Sequence, residues 1–476
     1  MSGHGPSAAI NAESAHPAIE DFHEFLAANP QVAADSQEML SRESVTRLLT
    51  FGGEPFTRYL RPHMITPGQY GIITDVVKTL ASAMQKLRRA CLADPGMRDQ
   101  LDLTPEELRL AMIDPGFEEP SPSIRLDSFW SERDWRFVEI NAESPAAIAY
   151  EDVLADLFLE LPAINQWRLG NGYFLSPLYA RTRFIQAIRE AWTQFKQTYG
   201  PGFNDTPTIA IVDWAGVPTD TEFEIFRRYF EQLGFKTLVT QPERLEFRDG
   251  RLRDGDFVID IYYKRVLTSE LLAKPDVARA TIQAYEAGKI CVINSFRAKF
   301  LHKKMSLGLM HDDANAHLFS EHELDVIRRH IPWTRKVAEG HTTLNGQSID
   351  LLPFIADNRE SLVLKPNDEY GGKGVVIGWT ASDEEWQRAI KEALESSFVV
   401  QWAVQLDQEP YPYYDQQHGV SFRDLTADLD PFVFGPDMAG ILTRLSAAAL
   451  LNVTAGTGSV VPTMIVEKDP IPARAR

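Results

Sequence analysis

The chain has 476 residues, 44% of them hydrophobic and 24% charged, a globular balance that excludes a wholly disordered, collagenous or coiled-coil protein. Lys and Arg number 48 against 67 Asp and Glu, and the formal net charge of −19 argues against nonspecific binding of nucleic acid or anionic membrane. Two cysteines, Cys91 and Cys291, with no Cys-x-x-Cys pair, exclude a disulfide framework and a cysteine-built zinc site.

The opening "MSGHGPSAAINAESAHP" has neither a basic segment nor an apolar run, so it reads as a frayed lead-in rather than a secretory signal. No segment has the ~18 to 20 consecutive apolar residues of a membrane helix. A cytoplasmic protein is expected. From about Glu20 to Leu110 the texture is helical: apolar residues recur at three- and four-residue spacings from Ile73 to Leu92. "LDLTPEELRLAM" places Thr104 as an N-cap and Pro105 at the first helical position. From Pro120 the chain turns to short β-rich runs, "SIRLDSFW" and "RFVEIN".

After the turn-forming "TYGPGFNDTP", the runs "TIAIVDW", "KTLVT", "FVIDIYYKRV" and "KICVINS" read as strands. Helical stretches separate them, among them "DTEFEIFRRYFEQLG", which ends at Gly234. This rhythm predicts a small α/β layer with parallel pairing. "FRAKFLHKKMSLGLM" is expected to form one helix, burying Leu301, Met305 and Leu309 and leaving Lys303 and Lys304 at the border. Then come "SLVLKP", a glycine-rich turn, "GVVIGW", a helix near Asp383 to Leu394, "FVVQWAV", and a tail with strand-like "VVPTMIV" and a basic terminus. The expected fold is mixed α/β (α+β). Its expected parts are a helical region 1–119, a metal-side part 120–200, a small α/β part 201–295, a nucleotide-side part 296–405 and a C-terminal part 406–476.

Chemistry first appears in the two β-runs. Arg125, Asp127 and Phe129 share one face of a strand, as do Phe137, Glu139 and Asn141. A hairpin turning at Arg133 sets Asp127 across from Glu139 and Arg125 across from Asn141. Facing carboxylates destabilise a sheet unless something neutralises them. A divalent cation with hard oxygen ligands would do so, and Mg²⁺ suits Asp, Glu and Asn. A solvated polar face with Arg125 neutralising Asp127 is the alternative.

In "LVLKPNDEYGGKGVVIGW", Gly371, Gly372 and Gly374 free the backbone to bring N–H groups to phosphate oxygens, and Lys365 and Lys373 supply charge. Lys373 is followed by Gly374 rather than Ser or Thr, so this is not a Walker A loop. An ordinary turn with exposed lysines is the alternative. Gln401, polar within the apolar "FVVQWAV", is read either as presenting amide or backbone groups to an adenine edge or as a glutamine satisfied at a strand end. One of Lys303 and Lys304 meets phosphate, or both are solvated.

In this order the segments resemble the ATP-grasp superfamily, specifically its circularly permuted branch typified by the synthetase domain of glutathionylspermidine synthase. The resemblance spans roughly residues 120 to 465. It rests on "RLDSFWSERDWRFVEINAESP", "VINSFRAKFLHKKMSLGLM", "LVLKPNDEYGGKGVVIGW", "FVVQWAV" and "LTRLSAAALLNVTAGTGSVVP". The R-x-D and E-x-N segment precedes the glycine loop here, as in the permuted order. The resemblance implies that Asp127, Glu139 and Asn141 hold Mg²⁺ against ATP phosphates. Arg125 would stabilise the transferring phosphoryl group and the acyl-phosphate. Lys304 and Lys365 would hold ATP phosphates, Gly371, Gly372, Lys373 and Gly374 would close over them, and Gln401 would lie on the adenine strand.

The implied activity is ATP- and Mg²⁺-dependent ligation of a small-molecule carboxylate to an amine, releasing ADP and phosphate, with neither nucleic acid nor membrane as partner. A nucleotide-binding regulatory or scaffold protein on a degenerate ATP-grasp fold, and a small-molecule phosphotransferase, are the rival readings. The sequence departs from the family where "AESPAAIAY" lacks the glycines many relatives carry after the proline, and where Gln401 replaces a frequent acidic residue. Ser144, Arg265 and Arg444 are placed on the substrate side, with a structural ion pair as the alternative for each arginine. His302, His311, His317, His322 and His330 lack zinc-site spacing and are expected on a solvated helical face.

Overall fold

A computed structural model describes residues 13–119, 121–131, 134–200, 202–447 and 458–468. The tip of the hairpin at Arg133, the "AALLNVTAGT" stretch, the N-terminal lead-in and the basic terminus lie outside those residues. Three sheets position everything that follows. The largest is mainly antiparallel and runs in the order 409–415, 419–427, 437–446, 430–434, 124–130, 135–141. The strand Gly458–Lys468 adds to it beside 437–446 and takes His63–Ile65 in parallel and Tyr173–Pro177 in antiparallel. The strand hairpin, the C-terminal strands and one strand from the helical N-terminal region therefore share one sheet.

The second sheet is the expected parallel layer. Cys291–Ile293, Ile261–Lys264, Ile209–Val212 and Thr237–Thr240 lie side by side in that order, all parallel. The first three runs are buried on both faces, as helix-covered parallel strands must be, while the edge strand Thr237–Thr240 leaves Val239 exposed. The third sheet sets Phe398–Trp402 between Thr334–Lys336 and Leu362–Pro366, with the short strand Val376–Ile377 outermost.

Local sequence explains the helices. Pro67–Ala93 starts from a reciprocal cap between Thr66 and Gln69 with Pro67 at its first position, and buries Ile73, Val77, Leu80 and Leu87. Pro105–Met112 starts as expected: Thr104 accepts from the Glu107 amide while Glu107 reaches back to the Thr104 amide. No helix among the described residues is long and apolar enough to cross a membrane.

One expected helix breaks. Residues 296–311 form a 3₁₀ turn, Phe296–Ala298, and two short helices, Lys299–His302 and Met305–His311. At the break the Lys304 amide donates to the Asn367 carbonyl at 2.9 Å, and the Met305 amide to Asn367 Oδ1 at 2.9 Å. These amides are satisfied by Asn367, just past the strand Leu362–Pro366, rather than by carbonyls one turn back, so the helix stops and restarts. Lys303 and Lys304 are both buried, not at a solvated border.

Candidate active site

The hairpin Ile124–Trp130 and Trp135–Asn141 pairs in the register read from its alternation: Arg125 opposite Asn141, and Asp127 opposite Glu139. A bulge between Asp127 and Ser128 then shifts the pairing by one residue. Both acids line a cavity of about 460 Å³ that also contains Arg125, Asn141, Ser144, Arg265, Lys304, Lys365, Gly371, Gly372, Lys373, Gln401 and Arg444. Gly374 belongs to the same loop without lining the cavity.

The expected repulsion between Asp127 and Glu139 is relieved from two sides. Arg125 grips Asp127 through Nε at 2.7 Å and Nη2 at 3.0 Å, and Arg444 Nη2 reaches the same carboxylate at 2.8 Å. Burial pushes Asp127 up, but the Arg125 and Arg444 guanidinia outweigh it and hold the group at about 2. Glu139 accepts from Lys304 Nζ at 3.1 Å, and the same ammonium donates to the Glu369 carbonyl at the foot of the glycine loop. Two carboxylates and a carboxamide among the residues that line one cavity are hard oxygen donors of the kind Mg²⁺ takes. The residues thus fit the implied cation chemically.

Lys365 enters beside Lys304 and donates to Gln401 Oε1 at 2.6 Å. Burial, with Lys304 adding repulsion and Glu139 opposing, lowers its pKa to about 8. Gln401 gives its own amide hydrogen to Thr334 Oγ1 at 2.9 Å, and its backbone is paired on both sides by strands. Its side chain therefore holds Lys365 in place rather than offering an edge to a base. At the end of this strand and just past it, Trp402, Ala403, Val404 and Leu406 line the cavity, as do the apolar Val363, Ile377 and Trp379.

The glycine loop has the backbone its composition requires. Gly371, Gly372 and Gly374 adopt φ of 63°, 74° and 72°, and a Cβ on Gly374 would stand 2.7 Å from Pro366 Cγ. Tyr370 Oη donates to Glu270 Oε1 at 3.3 Å, tying the loop to the parallel-sheet side.

At that side, Asp213 and Arg265 follow the C-terminal ends of parallel strands, where open α/β sheets bind ligands. Arg265 is spoken for: Nη1 donates to the Pro145 carbonyl at 2.6 Å and Nη2 to buried Glu222 at 3.3 Å. Arg265 thus makes a buried ion pair and also lines the cavity, while Ser144 Oγ donates to its carbonyl at 2.7 Å. Burial pushes Asp213 up to about 6.

Several charged residues had no place in the sequence reading. Asp428 and Asp430 flank Arg444, at 2.7 Å from Nε and 2.8 Å from Nη2 respectively. Acids at alternate positions in the apolar "LTADLDPFVF" were the available signal. Beneath the cavity, Glu143 meets Lys264 at 2.9 Å and Lys299 at 3.2 Å. Lys299 and Lys303 together hold Asp368, at 2.7 and 2.9 Å, and both meet Glu107. This buried network joins the helical N-terminal region, the hairpin's exit, the parallel sheet and the stem of the glycine loop.

The histidines correct their expectation. His302 and His330 are buried, the latter bonded to the Trp135 carbonyl, so they form no solvated face. Among the described residues, no group of three or more His, Cys, Asp and Glu side chains is disposed to hold a metal ion as the site stands.

No protein-family model matches the chain. It is 25% identical over 344 residues to the uncharacterized protein ML0605 of Mycobacterium leprae (strain TN), a match covering 68% of this chain and 55% of that relative. The chain thus spans about half the length of the curated relative it matches. Among solved structures it is similar to a glutathione synthetase-like effector from Globodera pallida in its apo form, with a TM-score of 0.56 at 11% identity. That likeness covers 91% of this chain and 96% of the other. At such identity the likeness is one of fold: a mixed α/β architecture shared with that protein, in agreement with the mixed α/β expectation.

Proposed function

We propose that the protein is an ATP- and Mg²⁺-dependent ligase that joins a small-molecule carboxylate, of the amino-acid or peptide class, to an amine through an acyl-phosphate. One observation carries this reading: the hairpin set Arg125, Asp127, Glu139 and Asn141 meets Lys304, Lys365 and the glycine loop in a single cavity. The permuted order of these segments, the relation to glutathionylspermidine synthase, a cytoplasmic location and the division of labour among residues 120–200, 201–295 and 296–405 belong to the same proposal.

On this reading the base occupies the apolar part of the cavity lined by Trp402, Val404, Leu406 and Trp379. Lys304, Lys365 and the N–H groups of the glycine loop hold the phosphates. A carboxylate resists attack by an amine; transfer of the γ-phosphoryl group makes it an acyl-phosphate with a good leaving group. The protein's task is to place positive charge where it shifts, and Arg125 stands at that point. Bound at Asp127, Glu139 and Asn141, Mg²⁺ would neutralise the phosphate oxygens. The amine then displaces phosphate, forming the amide.

The test is an assay of ADP and phosphate with ATP, Mg²⁺ and panels of amino acids, peptides and amines. Equal release of both, only when acid and amine are present together, with an amide in the mass spectrum, is the expected result. ADP without phosphate and a phosphoester product would identify a phosphotransferase. Nucleotide binding without turnover across the panels would leave the binding-protein reading.

A further inference from the structure

The Nη2 nitrogen of Arg444 faces more carboxylates than it has hydrogens to give. It lies 2.8 Å from Asp127 Oδ2, 2.8 Å from Asp430 Oδ2 and 2.5 Å from Asp428 Oδ2. A guanidinium nitrogen of this kind has two hydrogens. The deficit falls on Asp430: its Oδ2 is buried and accepts no hydrogen bond, while its Oδ1 accepts from the Ser128 amide at 3.0 Å. Asp428 is secured independently, by Arg444 Nε and by the Arg444 backbone amide at 2.7 Å.

Arg125 is differently placed. Two of its nitrogens are committed to Asp127 in a fork, a third donates to the Ala146 carbonyl at 3.1 Å, and the nearest other carboxylate, Asp430, is 3.9 Å away. If Arg125 left Asp127, two N–H groups would lose their partner inside the protein. If Arg444 left, its freed hydrogen would find Asp430 Oδ2 already within reach.

We propose that Arg444 is a built-in counter-ion that competes with a divalent cation for Asp127, and that Asp430 takes over its N–H when the cation enters. The proposal rests on the reading of Asp127 as a cation ligand. In the cation-free site Arg444 offsets the three buried aspartates together with Arg125. On entry of the cation, Asp127 Oδ2 turns from Arg444 to the metal, and Arg444 swings fully onto Asp428 and Asp430. In the exchanged arrangement no carboxylate is left unpaired. Cation affinity is thereby set by a contest between two positive charges, and Asp430 is a positioning residue that tilts it.

The experiment measures Mn²⁺ binding to the nucleotide-free full chain by electron paramagnetic resonance, with no turnover required. Arg444→Gln removes the competitor and should tighten Mn²⁺ binding by at least about tenfold relative to wild type, the equivalent of one charge-assisted contact. Asp430→Asn leaves the competitor but removes its alternative partner, and should weaken binding by about the same factor. Opposite shifts from neighbouring substitutions are not what general loosening of the sheet would produce. Should Arg444→Gln fail to fold, Arg444→Lys, which keeps the charge but loses the separate Nε donor that secures Asp428, should shift affinity in the same direction by less. Binding no tighter than wild type in the folded Arg444 variant overturns the competition, and wild-type affinity in Asp430→Asn overturns the exchange. Failure of the ligase reading would look different: both shifts intact, with no amide formed from any substrate pair.

Discussion

Substituting Glu143 by Gln tests the buried charge network beneath the site. Glu143 is fully buried and faces Lys264 and Lys299, while its Oε1 also accepts from the Thr268 amide at 2.9 Å and from the Thr268 hydroxyl. The Gln side chain has nearly the same shape and can still accept from Thr268, so the change isolates the charge. It leaves Lys264 without an ion-pair partner and Lys299 with only Asp368 and Glu107. Removing one member of a buried pair costs about 3–5 kcal/mol, because the remaining charge stays desolvated. Retained hydrogen bonding and the other acids around Lys299 put the expectation at the lower end, about 3 kcal/mol at pH 7.

The pH dependence has a definite sign. Burial raises the Glu143 pKa, but Lys264 and Lys299 outweigh it and hold the carboxyl well below its ordinary 4.5. A group depressed on folding stabilises the protein above its unfolded pKa, and that contribution is lost as pH falls through the folded value. The gap between wild type and Glu143→Gln should therefore be full at pH 7 and narrow in acid, below about pH 4.5. Equilibrium urea unfolding, followed by tryptophan fluorescence at pH 7 and at stepwise lower pH, reads both quantities. A loss under about 1 kcal/mol, the size of an exposed pair, or a gap that does not narrow in acid, would refute the account of Glu143 as the network's central anion.

Three further outcomes follow from the cavity. Because Lys365 titrates at about 8, ATP affinity measured by calorimetry should fall as pH rises through that value; Lys365→Arg, charged throughout, should flatten the profile, and a flat wild-type curve would remove Lys365 from the phosphate site. Glu139→Gln should lower Mg²⁺-dependent turnover at least about 100-fold with an unchanged far-ultraviolet dichroism spectrum, and wild-type turnover would end the ligand assignment. Gly374→Ala puts a side chain at φ 72° and against Pro366, a strain of about 1–2 kcal/mol; it should raise KM for ATP with little change in unfolding midpoint, and an unaltered KM would show that the loop does not close on nucleotide.

What local sequence determined is what depends on period and on short-range chemistry. Strand alternation together with a hairpin turn at Arg133 placed Asp127 across from Glu139, because a slip of one residue would have turned the whole apolar set outward. The reciprocal cap at Thr104 and the parallel layer from residue 209 to 293 were legible for the same reason: caps and periodicity act within a few residues. Tertiary structure decided the rest. The helix expected across Lys303 breaks because Asn367, just past another strand, satisfies two of its amides. Gln401 turned out to hold Lys365 once Leu362–Pro366 lay beside it, and Arg444 reached Asp127 across 317 positions of chain. No window of sequence shows which distant charge will neutralise a buried one, yet burial makes that partner obligatory. The facing carboxylates could be read from alternation, but the guanidinia and ammonium groups that stabilise them could be found only after the chain had closed on itself.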